Sequence, residues 1–475
     1  MSFVALSFIF FLLIFMGIGV YSVTRSRSGN EDYYLAGRDI PPWLAALSAV
    51  ATNNSGFMFI GLIGMTYTSG VSSVWIMAGW VFGDYLAWRT VHRRLRWLSG
   101  ETRAESIPEV LAGDTQGGWR RVLLAVAGLL VLFFLGLYAA AQLKAGSKAL
   151  HVLFGWHYST GATLGFVIVV AYCFAGGLRA SIWTDAAQAL VMIFAMFLLL
   201  GFALVRLEGF VGLVERLTVI DPQLLTWVPP DLEFGFLLFA ASWVAAGIGV
   251  TGQPHIMVRA MAIESPEGIE RARQFYFGYY VPFTVAAILV GLCCRALLDG
   301  AAGFDVELAL PQLTRLLFPD VLVGLTLAGL FAATMSTADS QVLSCSAALT
   351  NDTLPEIGAT RWGAKIGTLV VASVAYLFAL FGSSSVFALV VDAWAALAAG
   401  LGPLLIVRVL RRPVASPVAL AMMVGGLGTV LGWWQLAPAL QNSVYAVLPG
   451  MVAGFAVYGI GGIVLRLTEK TTGRN

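Results

Sequence analysis

Residues 333–340 read Ala-Thr-Met-Ser-Thr-Ala-Asp-Ser inside a long apolar run. Polar side chains are costly at membrane depth, and an ionisable one marks an ion or substrate path by default. Ser336 and Ser340 are four residues apart and Ser336 and Asp339 three, so a helix sets all three on one face. With Thr337 beside them, the face offers the oxygen ligands that a hard cation such as sodium takes. Hydroxyls alone could bond back to carbonyls of the preceding turn. A carboxylate on the same face points instead to an ion site.

Two further stretches interrupt apolar runs. One is Thr52-Asn53-Asn54-Ser55-Gly56; the other has Gly247, Gly249 and Gly252 followed by Gln253-Pro254-His255. Glycines can serve close helix packing, but that does not explain two adjacent asparagines at mid-depth. Paired interruptions at matching positions point to a transporter binding site, because unwound backbone frees carbonyls for a cation and half-helix N-termini for an anion.

The elements that must carry these residues are membrane helices. The chain has 475 residues, 59% hydrophobic and only 11% charged, against about 25% charged in a soluble domain. Apolar runs of about 20 residues recur from Val4 to Leu465. The pattern predicts an all-α polytopic membrane protein with 13 transmembrane helices. The first run, Val4 to Val23, lacks a basic n-region and a cleavage site, so it is read as a span and not as a signal peptide.

The expected organisation is a lead transmembrane helix and inner loop over 1–43, then five helices over 44–208. An outer loop follows at 209–233, then five more helices over 234–410, and two extra helices with a short tail over 411–475. The two five-helix units each open with one of the interrupted helices. Of the 28 Lys and Arg residues, 22 fall in loops of one side, among them Arg38, Arg89, Arg179, Arg259 and Arg408. The positive-inside rule then puts the N-terminus outside and the C-terminus in the cytoplasm, in a cell inner (plasma) membrane. Cys173, Cys293, Cys294 and Cys345 all lie in apolar segments and read as small buried hydrophobes. The four scattered histidines suggest no metal centre, and a net charge of +2 gives no sign of nucleic acid.

Several motifs together resemble the sodium:solute symporter family, and within it the sodium/proline symporter branch. They are Gly252-Gln253-Pro254-His255-Ile256, Trp183-Thr184-Asp185, Met335-Ser336-Thr337, Ala338-Asp339-Ser340-Gln341, Gly37-Arg38, Ala393-Trp394 and Gly402-Pro403. The resemblance spans nearly the whole chain. It implies a five-plus-five inverted repeat of the amino-acid–sodium transporter (LeuT-like) type. It also implies a sodium site made by the backbone oxygens of Ala51, Asn54 and Ala333 with the hydroxyls of Ser336 and Thr337. Some relatives hold a second ion, which would fall here at Asp185, Ser336, Asp339 and Ser340; Asp185 could instead be a structural partner of a nearby Arg or Lys.

The resemblance also implies a substrate set: Asn53, Ser55, Gly56 and Phe57, then Tyr138, then Trp243, Ala246, Val250 and Gln253. The chain departs from the family pattern in three places. Many proline carriers have an acidic residue at the position of Asn53, and two aromatic positions of the pocket are Ala246 and Val250 here. Arg38, before Pro41-Pro42, is either an anchor at the membrane surface or an ion-pairing inner gate.

The expected function is sodium-coupled import of a small organic solute by alternating access, with proline or a related amino acid first. The partners are then the solute, the co-transported sodium ion and the lipid bilayer. Other readings are symport of another small carboxylate such as pantothenate or a monocarboxylate, or solute sensing without transport. The chain ends nine residues after Arg466, so no signalling domain is expected. No Gly-rich phosphate loop with Lys-Ser/Thr occurs and no catalytic constellation is seen, so an enzyme is not expected.

Overall fold

The computed structural model describes residues 3–24, 29–298, 304–358, 360–382 and 385–472. Arg25, Arg27 and Arg474, which contribute to the charge bias, lie outside the described residues. The described chain is helical, with one isolated bridge between Ile40 and Ile263. Its main helices are α1 (Phe3–Val23), α2 (Pro42–Gly56), α3 (Leu62–Ser69), α4 (Val74–Ala87), α5 (Arg93–Thr102), α6 (Gly117–Leu130), α7 (Gly136–Phe154), α8 (Tyr158–Arg206) and α9 (Gly209–Ile220). They continue with α10 (Gly235–Ile248), α11 (Pro254–Ala262), α12 (Gly268–Leu297), α13 (Ala309–Leu317), α14 (Asp320–Ala347), α15 (Arg361–Phe381), α16 (Val386–Val409), α17 (Ser416–Trp433) and α18 (Val447–Thr472).

Among the described residues, ten helices are long and apolar enough to cross a membrane, and Tyr158–Phe174 and Val447–Ile463 are shorter apolar helices. Large apolar side chains such as Leu190, Phe194, Phe197 and Phe381 face outward. That surface suits hydrocarbon, where helices satisfy their own backbone. The 49-residue α8 would be about 74 Å long if straight, against a hydrocarbon core of about 30 Å. It turns at Gly177, with φ 56° and ψ −146°. A Cβ there would sit 2.4 Å from the Tyr33 carbonyl oxygen, so only glycine fits the corner.

The two interruptions are real breaks. α2 ends at Ser55, whose φ of 49° and ψ of −174° leave the helical region, and a π-helical turn over Phe57–Gly61 leads into α3. α10 passes through a 3₁₀ turn, Gly249–Gly252, and an extended Gln253 before Pro254 opens α11. α14 is buried along nearly its whole length, which is why its polar face can only meet protein. It packs against α1, α2, α7 and α8.

The segment 209–233 that joins the two five-helix units carries a short helix, α9, in which Leu213 and Leu217 lie one turn apart and bury together. One sequence expectation needs correction. Arg259, counted among the loop cations, lies in α11 with its side chain 1% exposed.

Candidate functional site

The oxygen face of α14 meets the last turn of α2. Thr337 Oγ1 lies 3.0 Å from the Ala333 carbonyl one turn back and 3.0 Å from the Thr52 carbonyl across the interface. Ser336 Oγ lies 3.2 Å from the same Ala333 carbonyl. Ala51, Thr52, Asn54, Ala333, Ser336 and Thr337 are all buried. A helix end leaves its last carbonyls without intrahelical partners. The break at Ser55 lies three residues after Thr52, whose carbonyl meets the Thr337 hydroxyl. Of the expected sodium ligands, Ala333, Ser336 and Thr337 meet one another on α14, while Ala51 and Asn54 lie buried in the turn of α2 that carries Thr52.

Asp185, Asp339 and Ser340 form a second polar cluster, and Arg259 is part of it. Arg259 Nη2 donates to Asp185 Oδ2 at 2.9 Å and to Ser340 Oγ. Its Nε donates to Ser48 Oγ at 2.7 Å, and Ser48 donates to Asp185 Oδ2 at 2.6 Å. Asp339 Oδ1 accepts from Ser181 at 3.1 Å and from Ser340 at 2.9 Å. One guanidinium therefore ties α2, α8, α11 and α14 together away from water. The sequence signal was available: Arg259 stands four residues after His255, on the same face of an otherwise apolar half-helix.

The substrate candidates divide into two groups. Around the α2 break, Gly56 N–H donates to Gln142 Oε1 at 2.8 Å and Phe57 N–H to Ser55 Oγ at 3.0 Å, while Ser55 Oγ is 3.4 Å from the Tyr138 hydroxyl. Gln142 and Tyr138 are four apart on α7 and share that face. Around the second break, the fully buried Trp394 donates its indole N–H to the Ala246 carbonyl at 2.9 Å, and Gln253 Nε2 donates to the Trp394 carbonyl at 3.1 Å. Asn53, Ala246, Val250 and Gln253 are all buried.

An open cavity of 980 Å³ lies above them, walled by the segments 221–232 and 433–446 and floored by Trp243, Phe387 and Tyr445. Trp243 stacks on Tyr445 at 4.6 Å and on Trp80 at 6.0 Å. Phe57 stacks on Phe387 at 5.6 Å. Of the expected substrate residues, Trp243 alone reaches the cavity. The others do not line it, and Phe57 packs on the floor residue Phe387.

A model of the sodium:solute symporter family matches residues 33–426. The chain belongs to the sodium:solute symporter family. The Escherichia coli sodium/proline symporter is 31% identical over 94% of this chain and 89% of its own length. The Bacillus subtilis high-affinity proline transporter PutP is 30% identical over 92% of this chain and 93% of its own. An outward-open Na⁺-coupled sialic acid symporter superposes with a TM-score of 0.81 at 18% identity, covering 97% of this chain and 98% of that one. A nucleobase-cation-symport-1 transporter gives 0.57 at 16%, over 92% and 95%. The fold is that of LeuT-like transporters. The protein is a multi-pass, sodium-coupled solute symporter of the plasma membrane, a transporter and not an enzyme, with sodium as the co-transported ion.

A set of hydrogen bonds and ion pairs joins the chain before α2 to the end of α11 in the symporter. The strand-like residue before α2 pairs with the end of α11: Ile40 N–H donates to the Ala262 carbonyl at 3.1 Å, and Glu264 N–H to the Ile40 carbonyl at 3.0 Å. Arg38 pairs with Glu31 at 2.9 Å and donates to Ser99 Oγ at 3.1 Å and the Ala104 carbonyl at 2.6 Å. Arg179 joins the same layer through Asp32 and Asp39. Arg38 is therefore held within a polar layer, its side chain 10% exposed, and not at a lipid surface.

Gly56 gives a sharp test of the break. A Cβ there would come within 2.9 Å of Ala145 Cβ and of Thr334 Cγ2. Gly56→Ala is expected to cost about 1–3 kcal/mol by overpacking and to suppress uptake. Wild-type uptake by that variant would show that α2, α7 and α14 do not close on this residue.

Proposed function

We propose that this symporter imports L-proline or a closely related small amino acid, driven by sodium bound between α2 and α14. The observation that carries the reading is the Thr337 hydroxyl of α14 bridging to the Thr52 carbonyl at the α2 break. The ligands are the carbonyls of Ala51, Asn54 and Ala333 and the hydroxyls of Ser336 and Thr337. The names of the E. coli and B. subtilis relatives support proline. Sodium influx supplies enough energy: one charge across about 100 mV gives ~2.3 kcal/mol and a tenfold gradient ~1.4.

In this reading the chain has thirteen spans in a five-plus-five inverted repeat. Units 44–208 and 234–410 flank the segment 209–233, a lead helix region covers 1–43 and two extra helices cover 411–475. The Arg38 layer faces the cytoplasm, the N-terminus lies outside and the C-terminus inside, so the 980 Å³ cavity opens outward. At the Asp185–Asp339–Ser340 cluster the Arg259 guanidinium takes the place of an ion, and the cluster acts as a tether between helices.

The solute would bind at Asn53, Ser55, Gly56, Phe57, Tyr138, Ala246, Val250 and Gln253, beneath Trp243. Ala246 and Val250 favour a second reading, in which the solute is another small carboxylate with more bulk than proline. Uptake of a radiolabelled panel (proline, other amino acids, pantothenate, monocarboxylates) with and without a sodium gradient decides between them. Ala246→Trp is expected to narrow the accepted range toward smaller solutes. Unchanged selectivity and affinity would remove Ala246 from the pocket.

A further inference from the structure

Behind the first helix break lies a carboxylate that the coupling scheme above does not use. Asp84 of α4 is fully buried. Tyr276 of α12 donates its hydroxyl to Asp84 Oδ2 at 2.7 Å, and the same hydroxyl accepts from Asn53 Nδ2 at 2.6 Å. A phenol has one proton to give, so with that proton on Asp84, Asn53 must donate through its amide nitrogen. The amide oxygen is then left over. Asp84 Oδ1 and Asn53 Oδ1 are both buried and have no hydrogen-bond partner among the described residues. Neither a Lys nor an Arg among the described residues forms an ion pair with Asp84. Tyr276 and Tyr280 of α12 are the titratable groups that face it, while α2 and α10 carry none.

The Tyr276 hydroxyl thus joins Asp84 to Asn53 between three helices, and each of those two side chains keeps one buried oxygen, Oδ1, without a donor among the described residues. A buried carboxylate without a cationic partner is costly, and the two leftover Oδ1 acceptors are of the kind a cation satisfies. The ligands are all oxygen, with a single charge, which suits a hard monovalent ion. Asn53 also belongs to the α2 turn that carries Ala51 and Asn54, so an ion here would fix the same helix end that the Ser336–Thr337 face uses. Position 53 carries an uncharged amide, and Asp84 supplies a carboxyl on the other side of the Tyr276 hydroxyl.

We propose that Asp84, Asn53 and Tyr276 form a second sodium site between α2, α4 and α12. This rests on the reading of Ser336 and Thr337 as the first. Equilibrium binding of ²²Na⁺ to the purified, solute-free full chain tests it. Asp84→Asn is expected to lower the bound sodium by one ion per chain and to keep the other. Thr337→Val is expected to keep the stoichiometry and to weaken that other ion roughly ten- to a hundredfold, and the two substitutions together to leave a single weakened phase. Adding Asn53→Asp to Asp84→Asn moves the charge across the same hydroxyl and is expected to restore the lost ion, which a merely structural carboxylate would not do.

If Asp84→Asn does not fold, Tyr276→Phe keeps the carboxylate and is expected to weaken one of the two binding phases by about tenfold, a hydrogen-bond-sized loss. Unchanged stoichiometry in Asp84→Asn, or an unchanged isotherm in Tyr276→Phe, would overturn the proposal. Loss of sodium in Asp84→Asn with normal binding in Thr337→Val would instead uphold this site and remove the first.

Discussion

Thr337→Val should raise the sodium concentration for half-maximal uptake by roughly ten- to a hundredfold while leaving insertion and folding intact. The variant keeps the shape of the side chain and removes the oxygen that bonds from α14 to the Thr52 carbonyl at the α2 break. A hydrogen-bond-type interaction with a charged group contributes about 1.5–3 kcal/mol, which sets that range. Ser336→Ala should act in the same direction, since Ser336 shares the Ala333 carbonyl with Thr337. Thr337→Ser restores a hydroxyl and should recover most of the affinity. Sodium titrations of initial uptake rate check all three. Unchanged half-saturation in both Thr337→Val and Ser336→Ala would remove this face from the ion site.

Arg259→Met should destabilise the protein by about 3–5 kcal/mol, the cost of breaking a buried pair from one side. The salt bridge between Arg259 and Asp185 is 2.9 Å long, with both side chains at most 1% exposed. Removing the cation leaves Asp185 beside Asp339 with only the hydroxyls of Ser48, Ser181 and Ser340 around them. Asp185→Asn combined with Arg259→Gln removes both charges and should regain most of the loss. The coupling is read from a double-mutant cycle of melting curves on detergent-purified protein. A melting curve for Arg259→Met that matches wild type would mean that the guanidinium does not hold the four helices together.

Much of this was legible in the sequence because bilayers punish polar residues. Thr52 to Gly56 and Gly247 to His255 stood out as breaks, and the structure unwinds the chain at Ser55 and at Gly249–Gly252. The face of Ser336, Thr337, Asp339 and Ser340 followed from helical spacing alone. Arg259 was missed because a cation near the end of a span reads as a loop residue under the positive-inside rule. Only its contact with Asp185, 74 positions away in sequence, shows that it points inward. Asp84 was passed over for a similar reason. One carboxylate in a Trp- and Gly-rich helix has no periodic partner, and its link to Asn53 runs through Tyr276, 192 positions away from Asp84. Helix α9 did not stand out because it is only 12 residues long and carries Glu215 and Arg216 at its middle, too short and too polar for a span.

The most direct test of the central claim is the current evoked by solute in vesicles that hold the purified protein. With an inward sodium gradient, L-proline or the panel's best solute is expected to evoke an inward current. That current should vanish when sodium is replaced by choline and should need far more sodium in Thr337→Val. A solute-evoked current of equal size without sodium, or with the same sodium dependence in Thr337→Val, would contradict coupling through the α2–α14 interface.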